Sequence, residues 1–298
     1  MSDDVFDADW LTLREPADHR ARSAELDLTL AAWWAEGDRS RILDLGCGTG
    51  SNLRYLSPLL GGAAPARVQR WTLLDHDAGL LERIRLPGAG PLGLGSTAAK
   101  LTPLDLATVQ GDLALEGLSL IDGSHLVTAS ALLDLVSSAW TEEMARRCAN
   151  AGAAVLFTLT YDGSIVWDAP DPDDALVRDA VNAHQRREKG LGGALGPVAA
   201  GYAERAFALH GYRTRTAKSP WRLGPAEHAL ARALLEGWGT AAAEQRPDQA
   251  ARIERWTKRR TETIEGGTFS LTVGHVDLLA LPSGDVHENR GAALDTER

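Results

Sequence analysis

The chain has 298 residues, 44% hydrophobic and 24% charged, with a formal net charge of −10, a composition that supports a sizeable core and excludes wholesale disorder. The acidic balance argues against sequence-independent nucleic-acid binding, which needs cations to displace condensed counterions. The two cysteines, Cys47 and Cys148, are too few for a disulfide framework, the opening MSDDVFDADW lacks the basic and apolar character of a signal peptide, and no apolar run approaches the roughly 20 residues of a membrane span, so a soluble cytoplasmic protein is expected.

Residues 1–36 read as helical, with Leu26, Leu30, Trp33 and Trp34 on a shared face, and Gly37 ends the run. RILDL (41–45) reads as a short buried strand running into GCGTG, and SNLRYLSPLL (51–60) resumes helical spacing. VQRWTLLD (68–75) is a second strand, AGLLERIR (78–85) a short helix and PGAGPLGLGSTAA (87–99) a glycine-rich loop. Strands follow at 104–112, 125–130 and 153–160, with a helix from Ser138 to Asn150 between the last two. Alternation at this pitch implies βαβ units and a mainly parallel sheet. The pattern breaks after Tyr161: an acidic turn (168–174), a helix over ALVRDAVNAHQRREKG, a second glycine loop (190–197), a helix (198–210), a sixth strand at GYRTRTA, helices at 225–243 and 247–264, and a last strand at 268–281. The expectation is one α/β, Rossmann-like domain over 1–281 with a mostly parallel seven-stranded sheet. Its parts are a helical N-terminal lid (1–39), a core (40–161), helical insertions at 162–200 and 219–266, and a flexible tail from 282.

The chemistry is concentrated in LDLGCGTG (43–50), where Asp44 ends a strand and Gly46, Gly48 and Gly50 precede a helix. Glycines there permit φ > 0 and a close backbone approach to a ligand, and the helix N-terminus offers unpaired N–H donors. The dinucleotide spacing G-x-G-x-x-G is not met, because Ser51 follows Gly50. An NAD-dependent oxidoreductase is disfavoured on that ground.

With the spacing D-x-G-x-G-x-G, the sequence resembles the class I S-adenosylmethionine-dependent methyltransferases. The resemblance covers roughly residues 40–160. It implies S-adenosylmethionine as cofactor, its methionine end held by the loop around Asp44, Gly46, Cys47, Gly48 and Gly50. It further implies that Asp75, 25 residues after Gly50, binds the ribose hydroxyls, that His76 lies along the adenine, and that Asp112 and Leu113 meet the base. Asp77 suits the N-cap of the next helix, which leaves Asp75 for a ligand; Asp112 is equally readable as a plain turn residue. Cys47 reads as a small residue in a tight loop.

After the fourth strand, Ser130 and Asp134 (in TASALLDLVSSAW) are candidates to face the reacting methyl group; for Asp134 a helix cap or structural hydrogen bond competes. Leu176, Val177, Ala180, Val181 and His184 form one helical stripe that aims His184 inward, as a core histidine or as a general base. Arg187 and Lys189, beside a glycine loop, could hold an anionic acceptor group or be a solvated helix end. Trp10, Trp33, Trp34, Trp167 and Trp221 lie outside the expected core strands, where they would roof a pocket, with Trp33 and Trp167 chosen as substrate contacts. The basic helix RIERWTKRR (252–260) and the acidic turn at 168–174 read as solvated, and the histidines show no metal-ligand spacing. The expected activity is methyl transfer to a small-molecule acceptor, O-methylation favoured, by a monomer or homodimer without nucleic-acid or membrane partners. An RNA or protein methyltransferase and a non-catalytic cofactor-binding regulator are the alternatives.

Overall fold

The computed structural model describes residues 7–86, 103–188 and 192–283. The glycine-rich loop at 87–99, Lys189, Gly190 and the tail beyond Ser283 lie outside the described residues.

Strands β1 (Arg41–Leu45), β2 (Gln69–Asp75), β3 (Leu104–Gln110), β4 (Leu126–Ser130) and β5 (Ala154–Trp167) are parallel in the order β3-β2-β1-β4-β5. The sheet continues with β8 (Leu271–Pro282), antiparallel to β5, and then β6 (Tyr212–Lys218), antiparallel to β8. A short eighth strand, β7 (Trp221–Leu223), also pairs with β8. It adds one to the seven expected, because three residues after a proline carry too short a pattern to be read as a strand.

The central strands are apolar on both faces, as a doubly covered parallel sheet requires. Ile42, Trp71, Leu126 and Leu156 pack beneath Leu26, Leu30 and Trp34 of α2 (Ala24–Ala35) and Leu53, Leu56 and Leu60 of α3 (Ser51–Ala63). Their neighbours Leu43, Val127, Val155 and Phe157 point the other way, against α5 (Ser138–Ala151) and α7 (Ala199–Leu209). The N-terminal segment is two helices. Ser23, whose Oγ accepts from the Leu26 N–H, caps α2 and interrupts the run after α1 (Ala8–Ala21).

A third core sits beyond the carboxyl end of β4, along the second half of β5. Expected to end near 160, β5 runs on to Trp167, since the first half of β8 extends alongside it, pairing Ile165 with Val273 and Trp167 with Leu271. The polar Asp162-Gly163-Ser164 that reads as a break is a bulged stretch, with Leu159 at φ 56° and Gly163 at φ 89°. Trp167 and Trp221, expected outside the strands, therefore lie within them. Over this extension pack α6 (Asp174–His184), α8 (His228–Gln245) and α9 (Ala250–Glu265).

The acidic turn and the basic helix, both expected to be solvated, form one clasp. Asp171 and Asp173 bind Arg259 at 2.6 and 2.8 Å, Asp173 binds Arg252 at 2.5 Å, and Asp174 binds Arg260 at 2.5 Å. Arg260 is buried, donates to the Ala169 carbonyl and lies 4.4 Å from the centroid of Trp167. The two charge runs, some 80 residues apart in sequence, neutralise each other.

Among the described residues no helix is long and apolar enough to cross a membrane.

Candidate functional site

The loop after β1 turns sharply: Gly50 N–H donates to the Cys47 carbonyl at 2.9 Å, and Gly46, Gly48 and Gly50 all have left-handed backbones (φ 62°, 54° and 83°). Only glycine takes this conformation without steric cost. A Cβ on Gly48 would lie 2.9 Å from Leu11 Cδ1, so α1 covers the loop directly. Two further contacts hold that helix over the start of α3. Glu15 grips Arg54 at 2.5 and 2.7 Å, and His19 Nε2 lies 3.0 Å from Ser51 Oγ.

Asp75, at the tip of β2, accepts from the Gly48 N–H at 2.8 Å through one oxygen and from the Asp77 N–H at 3.0 Å through the other. Each carboxylate oxygen has a second lone pair, so the site keeps acceptor capacity. Asp77 takes the N-cap of α4 (Ala78–Leu81), accepting from Gly79 and Leu80 N–H groups. His76 is mostly exposed beside them, its Nδ1 3.3 Å from Asp75 Oδ1.

Beneath the loop lies a buried polar column. Asn52 donates to Asp44 Oδ1 and Thr128 Oγ1, both at 2.9 Å, and its carbonyl accepts from Arg22 Nη1 at 2.9 Å. Asp44 Oδ2 and Arg22 Nε and Nη2 are buried without a hydrogen-bond partner. Burial pushes the Asp44 carboxyl up to about 7, against the lowering effects of Asn52 and Arg22.

On the far side of the loop is a cavity of about 140 Å³. Leu132 joins it to the loop, its Cδ1 3.5 Å from where a Gly46 Cβ would lie, and the next turn contributes Ala131, Asp134 and Leu135. Trp10, Tyr161, Trp221 and Trp238 supply aromatic walls, while Arg14, Gln185 and His275 add polar groups. Tyr161 and His275 are register partners on β5 and β8, their ring centroids 6.3 Å apart.

No family model and no curated protein matches the sequence. Among solved structures, a cyclopropane-fatty-acyl-phospholipid synthase-like protein from Lactobacillus casei superposes with a TM-score of 0.51 at 13% identity, over 93% of this chain and 94% of that one. A cyclopropane synthase from Mycobacterium tuberculosis reaches 0.45 at 14% identity, covering 92% and 94%. A methyltransferase from Geobacter sulfurreducens, solved with S-adenosylhomocysteine, reaches 0.39 at 14%, covering 93% and 99%. The chain has the class I S-adenosylmethionine-dependent methyltransferase fold.

Within this methyltransferase fold, Asp44, the loop from Gly46 to Gly50, Cys47 and Asp75 come together, and Ser130 ends β4 one residue before the cavity-lining Ala131. Burial and the neighbouring Asp44 push the Cys47 thiol far up, keeping it protonated. Asp112 Oδ1 accepts from the Ala114 and Leu115 N–H groups, capping the single π turn that begins at Leu113; this is the turn role weighed against adenine contact. Asp134 lines the cavity.

Four of the expected residues stand elsewhere. His184, expected to aim inward, bonds Glu244 at 3.1 Å, because the helix rotates the next residue, Gln185, into the cavity wall. Arg187 reaches the same Glu244, donating to its carbonyl at 3.1 Å. Trp33 packs under Arg39 in the α2–α3 core, and Trp167 lies between Phe269 and Arg260. Missed altogether were Arg14, Arg22, Asn52, Tyr161, Gln185, Trp238 and His275. A histidine inside the apolar strand TFSLTVGHVDLLAL was the legible signal for His275; the others depend on contacts between distant segments.

Proposed function

We propose that this chain is an S-adenosylmethionine-dependent methyltransferase acting on a small-molecule acceptor, with an oxygen nucleophile favoured. The observation that carries the reading is the turn of three left-handed glycines, locked through Gly48 to the strand-tip carboxylate of Asp75, beside an aromatic-walled cavity. The donor set fits the cofactor. Its methionine end carries an ammonium and a carboxylate, and the buried, unpartnered atoms beneath the loop are an anionic oxygen of Asp44 and two guanidinium nitrogens of Arg22. Asp44 would hold the ammonium, Arg22 the carboxylate, and Asp75 the ribose hydroxyls; His76 and the turn at Asp112 and Leu113 would flank the adenine.

When bound, S-adenosylmethionine supplies an electrophilic methyl carbon on a sulfonium. The cavity side chains would align the acceptor oxygen for in-line transfer of that methyl group, and the Asp134 carboxylate would take the acceptor's hydroxyl proton. Alignment would supply most of the acceleration, and the positioned base a smaller factor. Leu11, Glu15 and His19 of α1 close the loop side against water.

The test is calorimetric titration of S-adenosylhomocysteine into the protein and its Asp75→Asn variant. Binding with a stoichiometry of one, weakened at least tenfold in the variant, is the expected result. A folded protein that shows no heat at millimolar ligand would overturn the reading.

A further inference from the structure

The acceptor's chemical class is written in the walls of the cavity. Its volume of about 140 Å³ is close to the roughly 150 Å³ in which a protein cavity holds one benzene molecule. A single six-membered ring matches that volume. Aromatic faces on several sides favour a flat ring over an aliphatic one.

Charge narrows the choice further. The guanidinium of Arg14, the cation among the described lining residues, is already held by both oxygens of Asp18 at 2.8 and 3.3 Å. The Trp221 face that a cation would use already carries that guanidinium at 5.3 Å. Both polarities are thus answered within the protein, which leaves a neutral ligand.

Two lining residues also carry buried polar atoms without a hydrogen-bond partner, His275 Nδ1 and Gln185 Oε1. Such atoms are rare in folded proteins and ask for a partner. His275 is only 5% exposed, its ring 4.7 Å from that of Trp221. Desolvation pushes its pKa down to about 3, against a backbone hydrogen bond to Val273, so the imidazole is neutral, with one ring nitrogen a donor and the other an acceptor.

We infer that this cavity binds a neutral, single-ring phenol, the ring held among Trp10, Tyr161, Trp221 and Trp238 and the hydroxyl hydrogen-bonded to His275. The inference rests on the methyl-transfer reading for the fate of that hydroxyl, and on the cavity alone for its binding.

Phenol, toluene, benzoate and tetramethylammonium are titrated into the full-length protein, with and without saturating S-adenosylhomocysteine, and read by calorimetry and by quenching of tryptophan fluorescence. Phenol is expected to bind about tenfold tighter than toluene, the worth of one net hydrogen bond, and benzoate and tetramethylammonium much more weakly than either. His275→Phe keeps the ring volume, so it should bring phenol to the affinity of toluene while leaving toluene unchanged; a merely structural role for His275 would weaken both alike and refute the assignment. Ala131→Phe, which fills the space, should abolish binding of both and spare S-adenosylhomocysteine. Tighter binding of tetramethylammonium or benzoate than of phenol overturns the inference, as does silence with phenol in a protein that binds S-adenosylhomocysteine. If S-adenosylhomocysteine does not bind, the methyl-transfer reading falls, and the titration of phenol alone still decides the cavity.

Discussion

Asp44 should make the ligand-free protein less stable than it needs to be, and removing its charge should reveal this. The carboxyl is buried, and burial raises it from 3.8 to about 7. For a carboxyl raised on folding, the folded state binds more protons than the unfolded state between the two values, so stability falls as pH rises through that window and levels off above about 7. Asp44→Asn cannot ionise and keeps a side chain that Asn52 can still hydrogen-bond. Between pH 5 and pH 8 the wild type crosses about two pH units of the window, and at 1.36 kcal/mol per unit it should lose about 3 kcal/mol relative to the variant. For a chain of this size that is roughly 5–10 °C in Tm. Every other titrating group contributes to both proteins and cancels in the difference. The assay is thermal unfolding of both proteins from pH 5 to pH 8, each with and without S-adenosylhomocysteine. The variant should be the more stable at pH 8, with the gap closing toward pH 5, and should gain less from ligand, because the anion facing the ammonium is gone. Parallel pH profiles for the two proteins would refute the reasoning about burial. An equal ligand-induced shift would refute the role of Asp44 in holding the ammonium.

Other outcomes follow from the same geometry. Gly48→Ala forces a side chain into a left-handed backbone against Leu11 and should cost about 1–2 kcal/mol while loosening α1, read as faster hydrogen exchange over Ala8–Ala21. Asp134→Asn should lower kcat toward a hydroxyl acceptor by about a hundredfold with S-adenosylhomocysteine affinity unchanged in calorimetry; an unchanged kcat would remove Asp134 from the reaction. In the clasp, Arg260→Ala leaves Asp174 without its buried partner and should cost about 3 kcal/mol in urea unfolding. Arg252→Ala, on a half-exposed pair, should cost under about 1 kcal/mol. Equal effects of the two would show that burial does not govern the clasp.

The sequence by itself determined the cofactor half of the molecule. A strand, a three-glycine turn and a helix are local events, since left-handed glycines and an Asp-tipped strand are legible within eight residues, and the N-cap at Asp77 follows from its position before Ala78. Apolar runs placed β1 to β4 within two residues, β1 and β4 as short unbroken runs covered on both faces and bounded by turn residues. What tertiary structure decided is the half around the cavity. That β5 continues through Asp162-Gly163-Ser164 depends on the first half of β8, more than a hundred residues later, supplying its hydrogen bonds. That His184 turns to Glu244 while Gln185 enters the cavity is a rotation of one residue about the α6 axis, below what helical periodicity resolves. The acidic turn and the basic helix each look solvated alone, since a charge run carries no record of its counter-ions until the chain brings them within 3 Å. The cavity itself joins α1, the β4 turn, β5, α6, β7, α8 and β8, and a surface assembled from seven separate segments has no signature in any one of them.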